Sequence, residues 1–532
     1  MRRARKPPTA PPPTDVDAAL AALGAEELRE VVRATLLELD DRAHGRVVTS
    51  LISRAARGAS GWAPTAVSEA AVAEAVVFAD AAKRVGYADP ADVDERLRRG
   101  SAAFLRKDYA VAHRILGALL RPIAEAEIDL GQHEMVDEVL GVDVNACAVQ
   151  YVVAVYMTSD PARRAESVRA AIDEVRAVGC FFEPIRDMER AAVEPLPDIE
   201  TFLGQWRVLV AKEAAGERRS DWDSETDRWL REVVQRIEGS GGLAKVARAT
   251  KRAGDLRAWC QSLVEAGDWR GALAAFEEAA ELVSDENYAR GEFLDGAALA
   301  AQELGESDLS PWFERAWRAE PSLPRLHRWL GAARDGTTLR TRAAEALGAC
   351  PAQAHRQRAV LHVLQGDFDA AAKLLAAAPG LGWSSGEHPG HVLFPLFLTL
   401  LGVDGVPLPD IALADREMDI GEMEILGADA DEPHLATPEL ADILRQAGVE
   451  QVTDTQARKA VLAAMRKAAK KRVAGVTKQK RRRHYGHAAA LVAACVAGDR
   501  SAESAPWAAT IRQEYRRFPA FRAELDRHLR SA

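Results

Sequence analysis

A short pattern recurs along this chain with its spacing intact. Gly267-Asp268-Trp269 is followed by Ala272, Phe276 and Ala279, and Gly366-Asp367-Phe368 is followed at the same offsets by Ala371, Leu375 and Ala378. A third copy, Lys107-Asp108-Tyr109 with Ala112, Leu116 and Leu119, has Gly100 seven residues before its lysine. Offsets of three and four residues put side chains on one face of an α-helix, whereas a strand repeats every two. Each copy therefore reads as a helix, a tight turn and a second helix, with a small residue where the two approach and an aromatic stapling the turn. A weaker fourth copy, Leu309, Phe313, Ala316 and Pro321, keeps only the second helix and a closing proline.

These spacings resemble tetratricopeptide repeats in packing mode, without a regular array of units about 34 residues long. One helix pair cannot bury its apolar face alone, so the resemblance implies stacked neighbours and a concave surface open to a partner. The rest of the sequence agrees with a helical reading. Ala-, Leu-, Glu- and Arg-rich stretches favour helix, and alternating runs of Val, Ile, Thr and aromatics are scarce. The expected fold is all-α: a tetratricopeptide-like helical-repeat solenoid with a separate C-terminal helical domain.

Along the 532 residues five segments are expected. Residues 1–14 read as a disordered basic, proline-rich tail, since no apolar run follows them as it would in a signal peptide. Residues 15–254 read as an N-terminal helical array broken at Gly24, Ala63-Pro64, Asp89-Pro90, Gly131 and Asp160-Pro161, the Asp-Pro pairs being helix starts. Residues 255–402 hold the clearest repeats. Residues 403–436 form an acidic linker, with ten carboxylates between Asp404 and Glu432 offset by Arg416 alone. Residues 437–532 form a basic helical domain.

That last domain carries the most unusual charge pattern. Between Thr455 and Gly498 stand twelve Lys or Arg residues and no Asp or Glu, in a chain whose formal net charge is −10. On a helical wheel Val461, Leu462, Met465, Ala468, Ala469 and Val473 form an apolar face, with Lys459, Arg466, Lys467, Lys470 and Lys471 opposite. A second cluster, Lys478, Lys480, Arg481, Arg482 and Arg483, precedes the helical stretch Ala488–Ala497, where cations oppose the helix dipole. These ten residues are the candidate contacts for a nucleic acid or an acidic partner. Phosphates would bind there with a steep salt dependence. The competing readings are a solvated face and intramolecular pairing with the acidic linker. Tyr485 is the only aromatic nearby, so stacking platforms for single strands are missing.

No signature of catalysis is present: the sequence lacks a P-loop, GxGxxG, GxSxG, HExxH or EF-hand pattern. Two histidine pairs stand out, His388 with His391 and His484 with His487, but neither has a Cys or carboxylate beside it at ligand spacing, and structural roles are expected. The loop Trp383-Ser384-Ser385-Gly386 is expected to cap the helix after His391. Five cysteines, Cys147, Cys180, Cys260, Cys350 and Cys495, form no CxxC or CxC pair, which points to a reducing compartment and buried positions. The longest apolar run, Val392–Leu401, contains Pro395 and falls well short of the roughly twenty residues of a membrane helix. No catalytic, cofactor or metal residue is assigned, no cofactor and no membrane contact are expected, and a cytoplasmic location is.

Four strings carry a further resemblance: DLGQHEMVDEVLGVDVNACAVQYVVAVYMTSDPARRAE, WFERAWRAEPSLPRLHRWLGAARD, RRHYGHAAALVAAC and IRQEYRRFPAFRAELDRHL. They resemble the helical regions that accompany SWIM-type zinc fingers in bacterial proteins, in the same order and from about residue 25 onward. Such fingers need a CxC pair followed by a CxH pair; this chain has neither, so zinc binding is not carried over. The resemblance implies a helical companion region associated with proteins or nucleic acids. The leading expectation is a non-catalytic scaffold for protein–protein interaction. The alternatives are a nucleic-acid-associated protein using residues 458–483 and, behind it, a metal-dependent enzyme.

Overall fold

The computed structural model is all-helical and describes residues 13–58, 61–133, 135–217, 223–284, 289–383, 385–403, 433–499 and 501–531. The first twelve residues of the expected tail and residues 404–432 of the expected acidic linker lie outside the described residues, as does any pairing of that linker with the basic segment. Among the described residues the extended pairing is a lone parallel bridge between Tyr87 and Asp129. The chain divides into two compact units, residues 1–239 and 240–532.

The three copies of the recurring pattern share one turn. Helix Pro90–Leu105 is followed by Tyr109–Ala124, Ala253–Glu265 by Trp269–Leu282, and His355–Leu364 by Phe368–Ala377. In each turn one residue takes a left-handed conformation: Lys107 at φ 68°, Gly267 at 67° and Gly366 at 72°. The next residue is Asp, and its N–H donates back into the preceding helix, to the carbonyls of Ala103, Leu263 and His362 at 3.0, 2.9 and 2.9 Å. This is the ladder that closes a helix on a left-handed residue. The same Asp side chain then accepts from the third residue of the following helix: Val111, Gly271 and Ala370 at 3.3, 3.0 and 3.0 Å. One dipeptide thus ends one helix and starts the next.

The apolar offsets land where the helical period places them. Ala112, Leu116 and Leu119, then Ala272, Phe276 and Ala279, then Ala371, Leu375 and Ala378, are all buried. Gly100 is required by close approach: a Cβ there would sit 2.7 Å from Leu116 Cδ2. Cys260 and Ala359, seven residues before Gly267 and Gly366, are the buried small residues at the same place in the other two copies. In the weaker fourth copy Phe313 and Ala316 are also buried, on helix Ser310–Ala319.

In the first unit, Asp89 accepts from Ala91 N–H at 2.9 Å and Pro90 opens the helix, so the Asp-Pro reading holds there. Asp160 instead ties a turn through Ala162 N–H, and the next helix begins at Arg164. Helix Val144–Thr158 runs through the middle of the unit, buried on almost every side. From its Tyr156 a row of rings runs through Phe202 and Trp206 to Trp229, in edge, stacked and tilted contact in turn. Buried Asp94 accepts from the N–H groups of Gly141 and Val142 and so fixes the loop before that helix.

In the second unit one continuous apolar core runs from Ala298 to Leu525. It takes in helices Gly390–Leu400, Thr455–Lys478 and Tyr485–Gly498 together with the third repeat copy, so residues 437–532 and the helices before the acidic segment share a single interior. Trp317 stacks on Trp329 with ring centroids 5.1 Å apart and donates to Gln357 Oε1 at 2.7 Å. Buried Asp295 is met by the guanidinium groups of Arg325 and Arg328. Four of the five cysteines are buried as expected; Cys180 is exposed, in the loop after helix Arg164–Val175, where its N–H donates to Asn145 Oδ1. Among the described residues no helix is long and apolar enough to cross a membrane.

Candidate functional site

The basic segment folds as the 24-residue helix Thr455–Lys478, capped at its start by Asp454, which accepts from Ala457 N–H at 2.7 Å. Val461, Leu462, Met465, Ala468, Ala469 and Val473 are buried, as the helical wheel requires. The helix presses on the end of the third repeat copy so closely that no Cβ fits at Gly380 beneath the Lys471 carbonyl.

The candidate cations separate into two groups. Arg466 pairs with Asp499 and lies over the Trp507 ring, 5.1 Å from its centroid. Lys470 pairs with Glu514 at 3.1 Å. Lys471 turns inward: its Nζ donates to the carbonyls of Ala376, Ala377 and Ala378 at 2.8, 3.2 and 3.0 Å, capping the C-terminus of helix Phe368–Ala377. Carbonyls at a helix end have no intrahelical donor and carry the negative end of the dipole, so an ammonium group is well placed there. The other seven, Lys459, Lys467, Lys478, Lys480, Arg481, Arg482 and Arg483, are exposed and have no acidic partner among the described residues.

Five of those seven surround one turn. Helix Thr455–Lys478 closes on Lys480, itself left-handed at φ 53°, with Arg481 N–H donating back to Val476 O at 2.9 Å. A single 3-10 turn, Arg482–His484, leads into helix Tyr485–Gly498, whose first residue is preceded by His484 with no side-chain cap bond. Arg483 Nε donates to His484 Nε2 at 3.1 Å. The positive end of a helix dipole and a cluster of exposed cations thus stand at the same turn.

Beneath this turn the structure brings together the two histidine pairs, which lie about a hundred residues apart in the chain. Trp383 is the centre. Its ring lies against His388 at 4.3 Å between centroids and meets His391, Phe394 and His487 edge-on at 5.6, 5.9 and 4.9 Å. His388 is fixed at both nitrogens: Nδ1 accepts from Gly390 N–H and Nε2 lies 3.1 Å from the carbonyl of Pro379. His388 thus takes up the first N–H of helix Gly390–Leu400, where the serine loop was expected to cap; Ser385 Oγ accepts from Glu387 N–H at 3.4 Å, and Ser384 lies outside the described residues. Burial lowers the His388 pKa to about 4, and burial with the field of Arg472 lowers His487 to about 3, so both imidazoles are neutral near pH 7. His484 is held below its ordinary range by partial burial and by Arg472, Arg483 and Arg481.

Arg472 joins the inner and outer layers. It is only 5 % exposed, makes one long contact with the Gly380 carbonyl at 3.4 Å, and its buried Nε has no partner. Burial and the nearby Arg481 charge lower its pKa to about 10. Sequence reasoning passed over this residue, yet a signal was available: Arg472 stands on the apolar stripe Val461, Met465, Ala468, Ala469, Val476, where an arginine breaks the pattern. Arg356, also buried, donates to Gly386 O at 3.0 Å and faces Glu387. Among the described residues no three His, Cys, Asp or Glu side chains converge as a metal site would require.

No family model, curated protein or solved structure matches this chain.

Proposed function

We propose that this chain is a non-catalytic binding protein, a tetratricopeptide-like helical-repeat scaffold whose helix pairs present a surface to a protein partner. The observation that supports this reading is the shared turn: three helix pairs with the same left-handed residue, the same Asp cap and the same buried offsets. Helix pairs of that kind are stabilised by their neighbours and leave one face for recognition. The resemblance to helical regions that accompany SWIM-type zinc fingers points to an accessory, non-enzymatic part of the same sort. The test is cross-linking of the purified full-length chain in cytosolic extract at mild salt. Cross-links from one reproducible protein to the exposed faces of the helix pairs support the scaffold, and the absence of any captured protein removes it.

A second reading is favoured by the charge at the turn. Seven exposed cations without an acidic partner among the described residues suit the phosphate backbone of a nucleic acid. Labelled duplex DNA and RNA titrated with the full-length protein at low and moderate salt test it, beside a variant with Lys478, Lys480, Arg481, Arg482 and Arg483 changed to Gln. Binding that falls steeply with salt and is lost in the variant supports this reading; undetectable or salt-insensitive binding removes it.

A further inference from the structure

The turn between helices Thr455–Lys478 and Tyr485–Gly498 concentrates charge beyond what a diffuse attraction to polyanions requires. Lys459 and Lys467 stand on the long helix away from the turn, whereas Lys480, Arg481 and Arg483 are gathered at the start of the second helix. Every local effect there disfavours the unliganded arrangement. Like charges repel, the helix dipole adds a positive end, and Lys480 holds a left-handed backbone that side chains rarely adopt. Arg472 adds the decisive observation. A buried guanidinium is ordinarily matched by a carboxylate or by several carbonyls. Arg472 has one long carbonyl contact, an unpartnered buried Nε, and cationic or imidazole neighbours in Arg481, His484 and His487. Glu524, whose Oε2 would lie 3.4 Å from a Cβ at Gly486, is engaged by Arg527 and stands beside His528.

We infer that this turn is a phosphate-binding site in which Arg481, Arg483 and Lys480 close over a phosphoryl oxyanion and the buried Arg472 holds it from beneath. A compact phosphoryl oxyanion pairs with the guanidinium groups in their preferred forked geometry, sits at the positive end of the helix, and offsets the charge that Arg472 carries with no carboxylate beside it among the described residues. Neutral His487 and His484 bound the site without adding charge near pH 7. The phosphoryl group comes from one of two sources, free phosphate or the backbone of a bound strand; the second deepens the nucleic-acid reading above and rests on it.

The test uses the full-length protein and inorganic phosphate, followed by thermal unfolding and by broadening of the phosphorus resonance, against sodium chloride at equal ionic strength. Phosphate is expected to raise the unfolding temperature in a saturable way that chloride does not reproduce. Arg481→Gln/Arg483→Gln is expected to weaken phosphate binding by about tenfold or more, and Lys459→Gln/Lys467→Gln to leave it within about twofold. Arg472→Gln is expected to abolish saturation while keeping the helical circular dichroism. Should that variant fail to fold, the surface pair carries the test alone. Equal responses to phosphate and chloride, or an Arg481→Gln/Arg483→Gln protein that behaves as the wild type, overturn the site. The two readings fail separately. Saturable phosphate binding without any oligonucleotide binding keeps the site and removes the nucleic-acid reading. Oligonucleotide binding that phosphate neither competes with nor mimics keeps that reading and removes the site.

Discussion

Gly267 and Gly366 do the same work at the same place, and the work is conformational. Each is left-handed, and a Cβ added at either would meet nothing within 4 Å. Gly267→Ala and Gly366→Ala are therefore each expected to lower stability by about 1 kcal/mol through backbone strain alone, seen as a lower urea midpoint with an unchanged slope. Lys107, the third member, already bears that strain, so Lys107→Gly should cost nothing or stabilise slightly. Gly100 belongs to a different class. Its Cβ would strike Leu116, and Gly100→Val is expected to cost about 1–3 kcal/mol by overpacking. The Gly-Asp signal was legible in the sequence because a left-handed turn and a side-chain cap depend on residue type. The role of Arg472 was not, because a wheel sorts residues by face and says nothing of whether the packed face supplies a carboxylate.

At the scale of one helix, Thr455–Lys478 shows why charge count alone misleads. Its cations alternate between structural and free duties within a single turn: Lys467 is exposed, Lys470 pairs with Glu514, and Lys471 caps another helix. Lys471→Gln is expected to lower stability by about 0.3–1 kcal/mol, the value of a cation at a helix C-terminus, and to leave oligonucleotide affinity unchanged. Lys478→Gln/Lys480→Gln should do the reverse, weakening any polyanion binding without lowering the unfolding temperature. A thermal scan and an anisotropy titration on both variants separate the two roles. The sequence placed Lys467, Lys470 and Lys471 together on the polar side of one wheel. Only the position of helix Phe368–Ala377 against that wheel, nearly a hundred residues earlier in the chain, assigns Lys471 inward.

At the scale of the molecule, the second unit places neutral imidazoles inside its packing. Burial holds the pKa of His388, and of His327 on helix Leu323–Gly331, at about 4 and that of His487 at about 3, below the ordinary value of about 6.5 that they recover on unfolding. The unfolded chain therefore takes up protons first. Their contribution to stability is fully present above about pH 6.5 and is lost as the pH falls toward 4, by well under about 1.4 kcal/mol per pH unit for each ring. The urea midpoint of the intact protein is expected to drop steadily over that window, and less steeply in His388→Gln/His487→Gln. A midpoint flat from pH 7 to 4.5 would contradict the burial of these rings. Gly239 marks the end of the first unit, inside helix Glu225–Thr250, with φ 62° and ψ −156°. That backbone is open to glycine and nearly closed to other residues, so Gly239→Ala is expected to cost about 1–3 kcal/mol in global unfolding.

What the sequence determined by itself was local: an all-helical chain, three helix pairs with their caps and buried offsets, and the two faces of the basic helix. Each follows from a periodicity or a residue type acting over a few positions, and such effects survive any arrangement of the rest. What only the tertiary structure decided was which distant segments meet. The sequence drew a domain boundary at the acidic segment, but apolar faces on either side of it close on each other, and one core spans both. His388, His391 and His487, far apart in the chain, gather on Trp383, and the basic turn comes close to the buried Arg472. The hydrophobic effect rewards any burial of apolar surface without naming its partner; the partner is chosen by shape across the whole unit, and shape is not written in a window of residues.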